Sequence, residues 1–200
     1  MIQRQGRFFA LTTRRTAYCF QVTEQGFLQH LHYGPGIDLK AGWEALVPQV
    51  QHAPGNGAVL DGAALEDMAL EGSAPGLGDL REPFIVVDTP HGSPADFRFV
   101  QADLLPGKPE LPGLPSAAEG GETLEITLAD RRARLQLTLR YTAFDGCDVI
   151  TRQALLTNTG SQPVTLRRLM SNQVDLFRQD YILTAFNGAW AREFAPTDTP

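Results

Sequence analysis

The chain has 200 residues, 42% of them apolar and 20% charged, with a formal net charge of −6. That length fits one large β-domain or two small ones. The acidic balance excludes a phosphate-tracking nucleic-acid binder, which needs clustered Lys and Arg; Arg14-Arg15, Arg131-Arg132 and Arg167-Arg168 are isolated pairs that read as solvated strand ends or turns. In chain order, strands are predicted over residues 7–12, 16–22, 27–33, 84–88 and 97–104. Residues 62–71 could instead form one or two helical turns with Leu65, Met68 and Leu70 inward. Strand periodicity is clearest at 122–128, where Leu124, Ile126 and Leu128 alternate with polar residues, and at 134–141, where Leu135, Leu137, Leu139 and Tyr141 share a face. Asp130-Arg131-Arg132 supplies the turn of a hairpin between them. Further strands are predicted at 148–156, 164–170 and 181–185, with a turn at 158–161. Short strands and turns at this spacing predict an all-β, antiparallel sandwich.

Two stretches, 48–57 and 106–121, are loops by their proline and glycine content, and loops of this length are usually functional or disordered. Residues 195–200, polar and holding Pro196 and Pro200, look like a linker, so the domain is placed at 1–194. The first seven residues have no apolar core of signal-peptide length, and no run approaches a membrane span. Cys19 and Cys147 lack CxxC spacing and read as two buried thiols rather than a disulfide. The simplest expectation is a reduced, cytoplasmic protein.

Four constellations could carry chemistry. His30 and His32 lie two apart in a strand, so both imidazoles could face one metal, with His52 or His91 as a third ligand. No Cys or carboxylate stands at ligand spacing, and the pair reads better as surface or hydrogen-bonded histidines; no metal and no cofactor are expected. Glu66, Asp67 and Glu71 form a local acidic cluster of the kind glycoside hydrolysis needs in pairs, but the glycine-flanked context favours a solvated face. Ser73 and Ser93 lack the G-x-S-x-G setting of a nucleophilic serine. Trp43 and Trp190 read by composition as core or rim residues, although an aromatic face also stacks on the C–H face of a sugar.

Six segments in order resemble the N-terminal domain of family 36 glycoside hydrolases, the α-galactosidase family. They are Gly26-Phe27-Leu28-Gln29-His30-Leu31-His32-Tyr33-Gly34, Gly78-Asp79-Leu80-Arg81-Glu82-Pro83, the run 107–115, Glu122-Thr123-Leu124-Glu125-Ile126, Tyr141-Thr142-Ala143-Phe144 with Asp148-Val149-Ile150-Thr151-Arg152, and Gly188-Ala189-Trp190-Ala191-Arg192-Glu193. The resemblance implies a large twisted supersandwich of the galactose-mutarotase-like kind. It implies a parent enzyme, a retaining α-galactosidase or close relative, whose catalytic carboxylates lie on a following (β/α)8 barrel, so that no catalytic residue is expected within these 200 residues. It further implies that the domain walls the sugar site, meets its own barrel and takes part in a homo-oligomer, a tetramer in the family.

The resemblance places one sugar contact on Trp190 as an aromatic wall. A second family contact, an acidic residue reaching a neighbouring subunit's site, is replaced here: Gln51 sits nearest its place and can hydrogen-bond a hydroxyl without adding charge. Asp79 and Arg81 read as a charge-assisted brace of their turn, with a cleft role as the alternative. A stand-alone carbohydrate-binding module without hydrolase activity is the alternative to the enzyme-domain reading.

Overall fold

The computed structural model describes residues 1–49, 59–60, 63–113, 120–176 and 180–199. The chain opens with a four-stranded meander, β1 (Ile2–Gln5), β2 (Phe8–Thr12), β3 (Thr16–Val22) and β4 (Leu28–Pro35), each strand antiparallel to the next. Two 3-10 turns, Leu39–Ala41 and Trp43–Leu46, follow, and Trp43 packs into a small cluster with Phe8, Ala10, Cys19 and Leu31. A two-residue pair, β5 (Val59–Leu60) and β6 (Ala63–Ala64), leads to a third 3-10 turn, Leu65–Asp67. Next comes β7 (Ile85–Asp88), and then a second meander, β8 (Arg98–Pro106), β9 (Glu122–Asp130), β10 (Leu135–Phe144) and β11 (Val149–Asn158). β12 (Thr165–Leu169) returns to pair with β7. A final hairpin joins β13 (Leu183–Ala189) to β14 (Arg192–Thr199).

The period-2 pattern explains the layering. Leu135, Leu137, Leu139 and Tyr141 of β10 are buried on one face, and their register partners Leu128, Ile126 and Leu124 on β9 are buried with them. From the other sheet, alternate residues Phe9 and Leu11 of β2 and Tyr18, Phe20 and Val22 of β3 point into the same core. The rings meet across the gap, Phe20 to Tyr141 at 5.2 Å and Tyr18 to Tyr141 at 5.9 Å between centroids. Phe84, Ile85 and Val87 close one side of this core. Burial of such side chains contributes about 1.5–3 kcal/mol each. The outer face of β9–β10 is threonine-rich and carries one ion pair, Arg140 to Glu125 at 2.6 Å. There Thr123 and Thr142 share a hydrogen bond of 2.7 Å, and the Thr123 hydroxyl donates to the Gly107 carbonyl, tying down the proline-rich loop.

Several expectations change. Of the stretch 62–71, the described residues 63–71 begin as β6 and then form only a single 3-10 turn, after which Leu70 bridges to Gln29 of β4; Leu65 and Leu70 do turn inward, onto Phe27, with Met68 packed against them. Glycines and the strand neighbour together prevent a helix from propagating. Cys19 is buried in β3, where burial pushes its thiol up to about 12, but Cys147 is exposed in the turn between β10 and β11. Asp145-Gly146 marks that turn, and the apolar surroundings of Cys147 do not override it. Residues 195–199, expected as linker, continue β14, with Pro196 opposite Phe186. A two-stranded ribbon leaves one edge of each strand unpaired, which is where a proline is tolerated.

Candidate functional site

Two places concentrate chemistry, and they are opposite in character. One lies between the sheets. Glu71, with no exposed surface, accepts hydrogen bonds from Tyr18 Oη to Oε2 at 2.7 Å and from Tyr141 Oη to Oε2 at 2.6 Å, and its Oε1 meets His30 Nδ1 at 2.8 Å. Tyr18 and His30 come from the first meander and Tyr141 from the second, so one carboxylate binds both sheets. Arg152 lies beside it on β11. Its guanidinium donates to the Glu71 carbonyl, to Asn172 Oδ1 at 2.8 Å and to the Gln173 carbonyl at 3.0 Å, and it faces the rings of Phe84 and Tyr141. Gln173 Oε1 then accepts from both the backbone N–H and the hydroxyl of Ser73 at 2.9 Å.

The electrostatics follow from these contacts. Burial pushes the Glu71 carboxyl up, but the His30 hydrogen bond, the Arg152 charge and the Tyr141 hydroxyl outweigh it and hold the group below its usual range. Burial, aided by the Glu71 charge, drives the Tyr18 and Tyr141 hydroxyls well above ordinary tyrosine, so both stay donors. A small cavity of about 90 Å³ opens next to the hub, lined by three tyrosines, Tyr18, Tyr33 and Tyr141, with Ile150 and Val174 and the polar Arg152 and Asn172.

The second place is the β13–β14 hairpin, whose described residues are exposed from end to end. Its two-residue turn is Trp190-Ala191, with Ala191 at φ +56°, and the register shifts by one between Asn187 and Ala189. A bulge next to the turn increases local twist and re-aims side chains. Trp190, 96% exposed, stands at the tip, and Phe186 and Phe194 meet edge-on at 6.3 Å lower down. A shallow pocket of about 200 Å³, lined by Asn187, Gly188, Ala189, Arg192 and Ala195, lies beside the tip. Adding a Cβ at Gly188 would meet nothing closer than 3.7 Å, so that glycine leaves open surface there.

The other sequence candidates resolve in structural terms. His30 is committed to Glu71, while His32 meets the Pro35 carbonyl at 3.0 Å, and His91 sits exposed in the turn bridged by Thr89 and Gly92. Among the described residues no group of three or more His, Cys, Asp or Glu is placed to hold a metal. Glu71, read from the sequence as part of a solvated acidic face, is a fully buried ion instead; Glu66 and Asp67 do reach the surface. Arg81 braces its turn: Nε donates to Asp79 Oδ1 at 2.9 Å, and the guanidinium also binds the carbonyls of Met68 and Leu65 and the Asp175 carboxylate. Gln51 and His52 lie outside the described residues.

Residues 26–200 match the model of the glycosyl hydrolase family 36 N-terminal domain. The chain belongs to that family. It is 33% identical over 196 residues to α-galactosidase AgaA of Geobacillus stearothermophilus, covering 94% of this chain and 27% of AgaA. It is 30% identical over 203 residues to α-galactosidase 1 of Pediococcus pentosaceus, covering 98% and 28%. Among solved structures, the α-galactosidase of Lactobacillus brevis superposes with a TM-score of 0.88 at 30% identity, over 96% of this chain and 27% of that one. A variant of AgaA in complex with raffinose gives 0.86 at 32%, over 97% and 28%. The chain therefore spans about a quarter of the length of the family 36 relatives it matches.

Proposed function

We propose that this domain serves an α-galactosidase-type glycoside hydrolase by walling its sugar site with Trp190, while the catalytic carboxylates lie outside these 200 residues. The observation that carries the reading is the placement of Trp190. A large aromatic ring 96% exposed at a hairpin tip forfeits most of its burial energy. That placement makes sense where the ring meets a ligand. The flat ring offers a stacking face for the C–H side of a pyranose, and the pocket beside it holds Asn187 and Arg192, whose amide and guanidinium can address hydroxyls. Family membership supports an α-galactoside as the sugar: the relatives are α-galactosidases, and one was solved with raffinose.

Hydrolysis with retention needs two carboxyl groups about 5 Å apart across the scissile bond. Glu71 is sealed between the sheets with each carboxylate oxygen already bonded, so it has no access to a glycosidic oxygen. The domain's part is then binding and orientation, together with contacts to its own barrel and to neighbouring subunits through the exposed apolar hairpin.

The experiment is a kinetic comparison of wild type and Trp190→Ala in the enzyme that carries this domain, with raffinose as substrate. The expected result is a KM raised about tenfold, in the range of one lost aromatic contact, with an unchanged melting temperature. An unchanged KM would remove Trp190 from the site. Turnover of nitrophenyl α-galactoside by residues 1–200 alone would place catalysis within this chain and overturn the reading.

A further inference from the structure

A groove of about 450 Å³ opens beside the β9–β10 turn, and none of its lining residues belongs to the β13–β14 hairpin. Its volume falls within the range of small-molecule sites. The floor is apolar: Leu77, Pro94, Phe99 and Val100. Val100 is held outward by the register shift between Phe99 and Gln101, which leaves its side chain half exposed.

The frame is fixed by polar groups that are already spent. Asp130, buried, accepts from the backbone N–H of Asp96 at 2.9 Å and of Ala133 at 2.8 Å, welding the turn to the strand entry opposite. Arg98 is ion-paired with Asp96, donates to the Gln25 carbonyl and stacks on Phe27 with its guanidinium carbon 3.8 Å from the ring centroid. Two cations remain. Arg131 and Arg132 line the groove, are exposed, and make no hydrogen bond or ion pair with the described residues. Two adjacent unpaired guanidinia over an apolar floor stand out in a chain of net charge −6.

We propose that this groove binds an organic anion built on an apolar ring, with the ring on the Leu77–Phe99–Val100 floor and the acid group between Arg131 and Arg132. Guanidinium pairs carboxylate, sulfonate and phosphate oxygens through charge-assisted, often bidentate, hydrogen bonds. A polyhydroxylated ligand fits less well, because the two carboxylates that could accept from its hydroxyls, Asp96 and Asp130, are already engaged. This site is independent of the Trp190 reading.

The test is calorimetric titration of the purified protein with phenyl phosphate, using phenol, inorganic phosphate and glucose 6-phosphate as comparators. Saturable binding of phenyl phosphate is expected, at least tenfold tighter than any comparator. The double variant Arg131→Glu with Arg132→Glu should weaken it about tenfold or more, since two attractive contacts become repulsive. Both side chains are exposed, so an unchanged melting temperature is expected; Val100→Glu, placing a like charge on the floor, is the second variant and should weaken binding by a similar factor. Absence of saturable binding, unaltered affinity in the double variant, or glucose 6-phosphate binding as tightly as phenyl phosphate would each overturn the proposal.

Discussion

The Glu71 hub and the Trp190 hairpin use similar chemistry, a charged group near aromatic rings, to opposite ends. At the hub, the strong groups are turned inward: Tyr18, Tyr141 and His30 converge on one carboxylate that has lost all contact with water, and Arg152 holds the backbone carbonyl of the same residue. On the hairpin, Phe186, Trp190 and Phe194 face solvent, and the ribbon is held mainly by its own ladder and by polar cross-strand pairs such as Thr184 to Asp198 at 2.6 Å and Asn187 to Thr197 at 3.0 Å. A hydrogen-bonded carboxylate sealed in a core is a fixture of the fold, whereas an aromatic left outside is available to something else. The two regions should therefore respond in opposite senses to mutation, one in stability and the other in binding.

The largest effect is expected from Glu71→Ala. It leaves two buried tyrosine hydroxyls and His30 Nδ1 without the carboxylate that answers them and removes the charge that offsets Arg152, and taking one partner out of such a buried charged cluster costs about 3–5 kcal/mol. Urea denaturation followed by tryptophan fluorescence would measure it; a loss under 1 kcal/mol would mean that water enters the hub and that it is no fixture. Glu71→Gln keeps the shape and an acceptor but not the charge, and should cost less, about 1–3 kcal/mol at neutral pH.

The same pair of proteins gives the pH dependence. Because the folded-state pKa of Glu71 is depressed, its contribution is fully present above the unfolded value of about 4.3 and is lost as pH falls through the folded value. Asp88 and Asp148, also held low by arginine partners, remain in both proteins and cancel in the difference. The stability gap between wild type and Glu71→Gln should thus narrow as the pH is lowered from 7 towards 3. A gap that stays constant would mean that Glu71 is already protonated at neutral pH.

A third, intermediate effect probes the frame around the hub. Gly121 leads into β9 at φ +78°, and a Cβ there would lie 2.8 Å from the Ala143 carbonyl oxygen and 2.9 Å from Thr142 Cγ2. Both the backbone conformation and the neighbouring strand oppose a side chain, so Gly121→Ala should destabilise by about 1–3 kcal/mol in the same denaturation assay. No change would show that β9 can shift at its start without disturbing the Thr123–Thr142 bond.

How far the sequence alone reaches differs between the two regions for a physical reason. Strand periodicity is local, so the alternation at 122–128 and 134–141 places β9, β10 and their buried faces to within a few residues. The hub is non-local: residues 18, 30, 71, 141 and 152 are drawn together only by folding, and Glu71 in its own segment looks like its solvated neighbours Glu66 and Asp67. The one local hint is that Tyr18 and Tyr141 fall on the apolar faces of their strands with hydroxyls that must find a partner. β14 escapes notice because Pro196 and a polar composition argue against a strand, and only pairing with β13 reveals it. Trp190 is reached through its motif rather than through periodicity, since nothing in a strand pattern separates a core tryptophan such as Trp43 from one at a turn.

The smallest expected change in stability is also the most informative. Trp190→Ala removes the largest side chain on the hairpin, yet an exposed residue away from caps, ion pairs and the core shifts stability by about 0.5 kcal/mol or less. Denaturation curves of wild type and variant should superimpose while affinity for an α-galactoside falls. Glu71→Gln should do the reverse, lowering stability while leaving affinity unchanged at temperatures where it is folded. Crossed outcomes would break the contrast: a Trp190 variant that unfolds early would mean that the ring packs against another part of the protein rather than against a sugar. A Glu71 variant that folds well but binds poorly would mean that the hub reaches the site, and Asn172 and Gln173, held by Arg152, are the contacts to vary next.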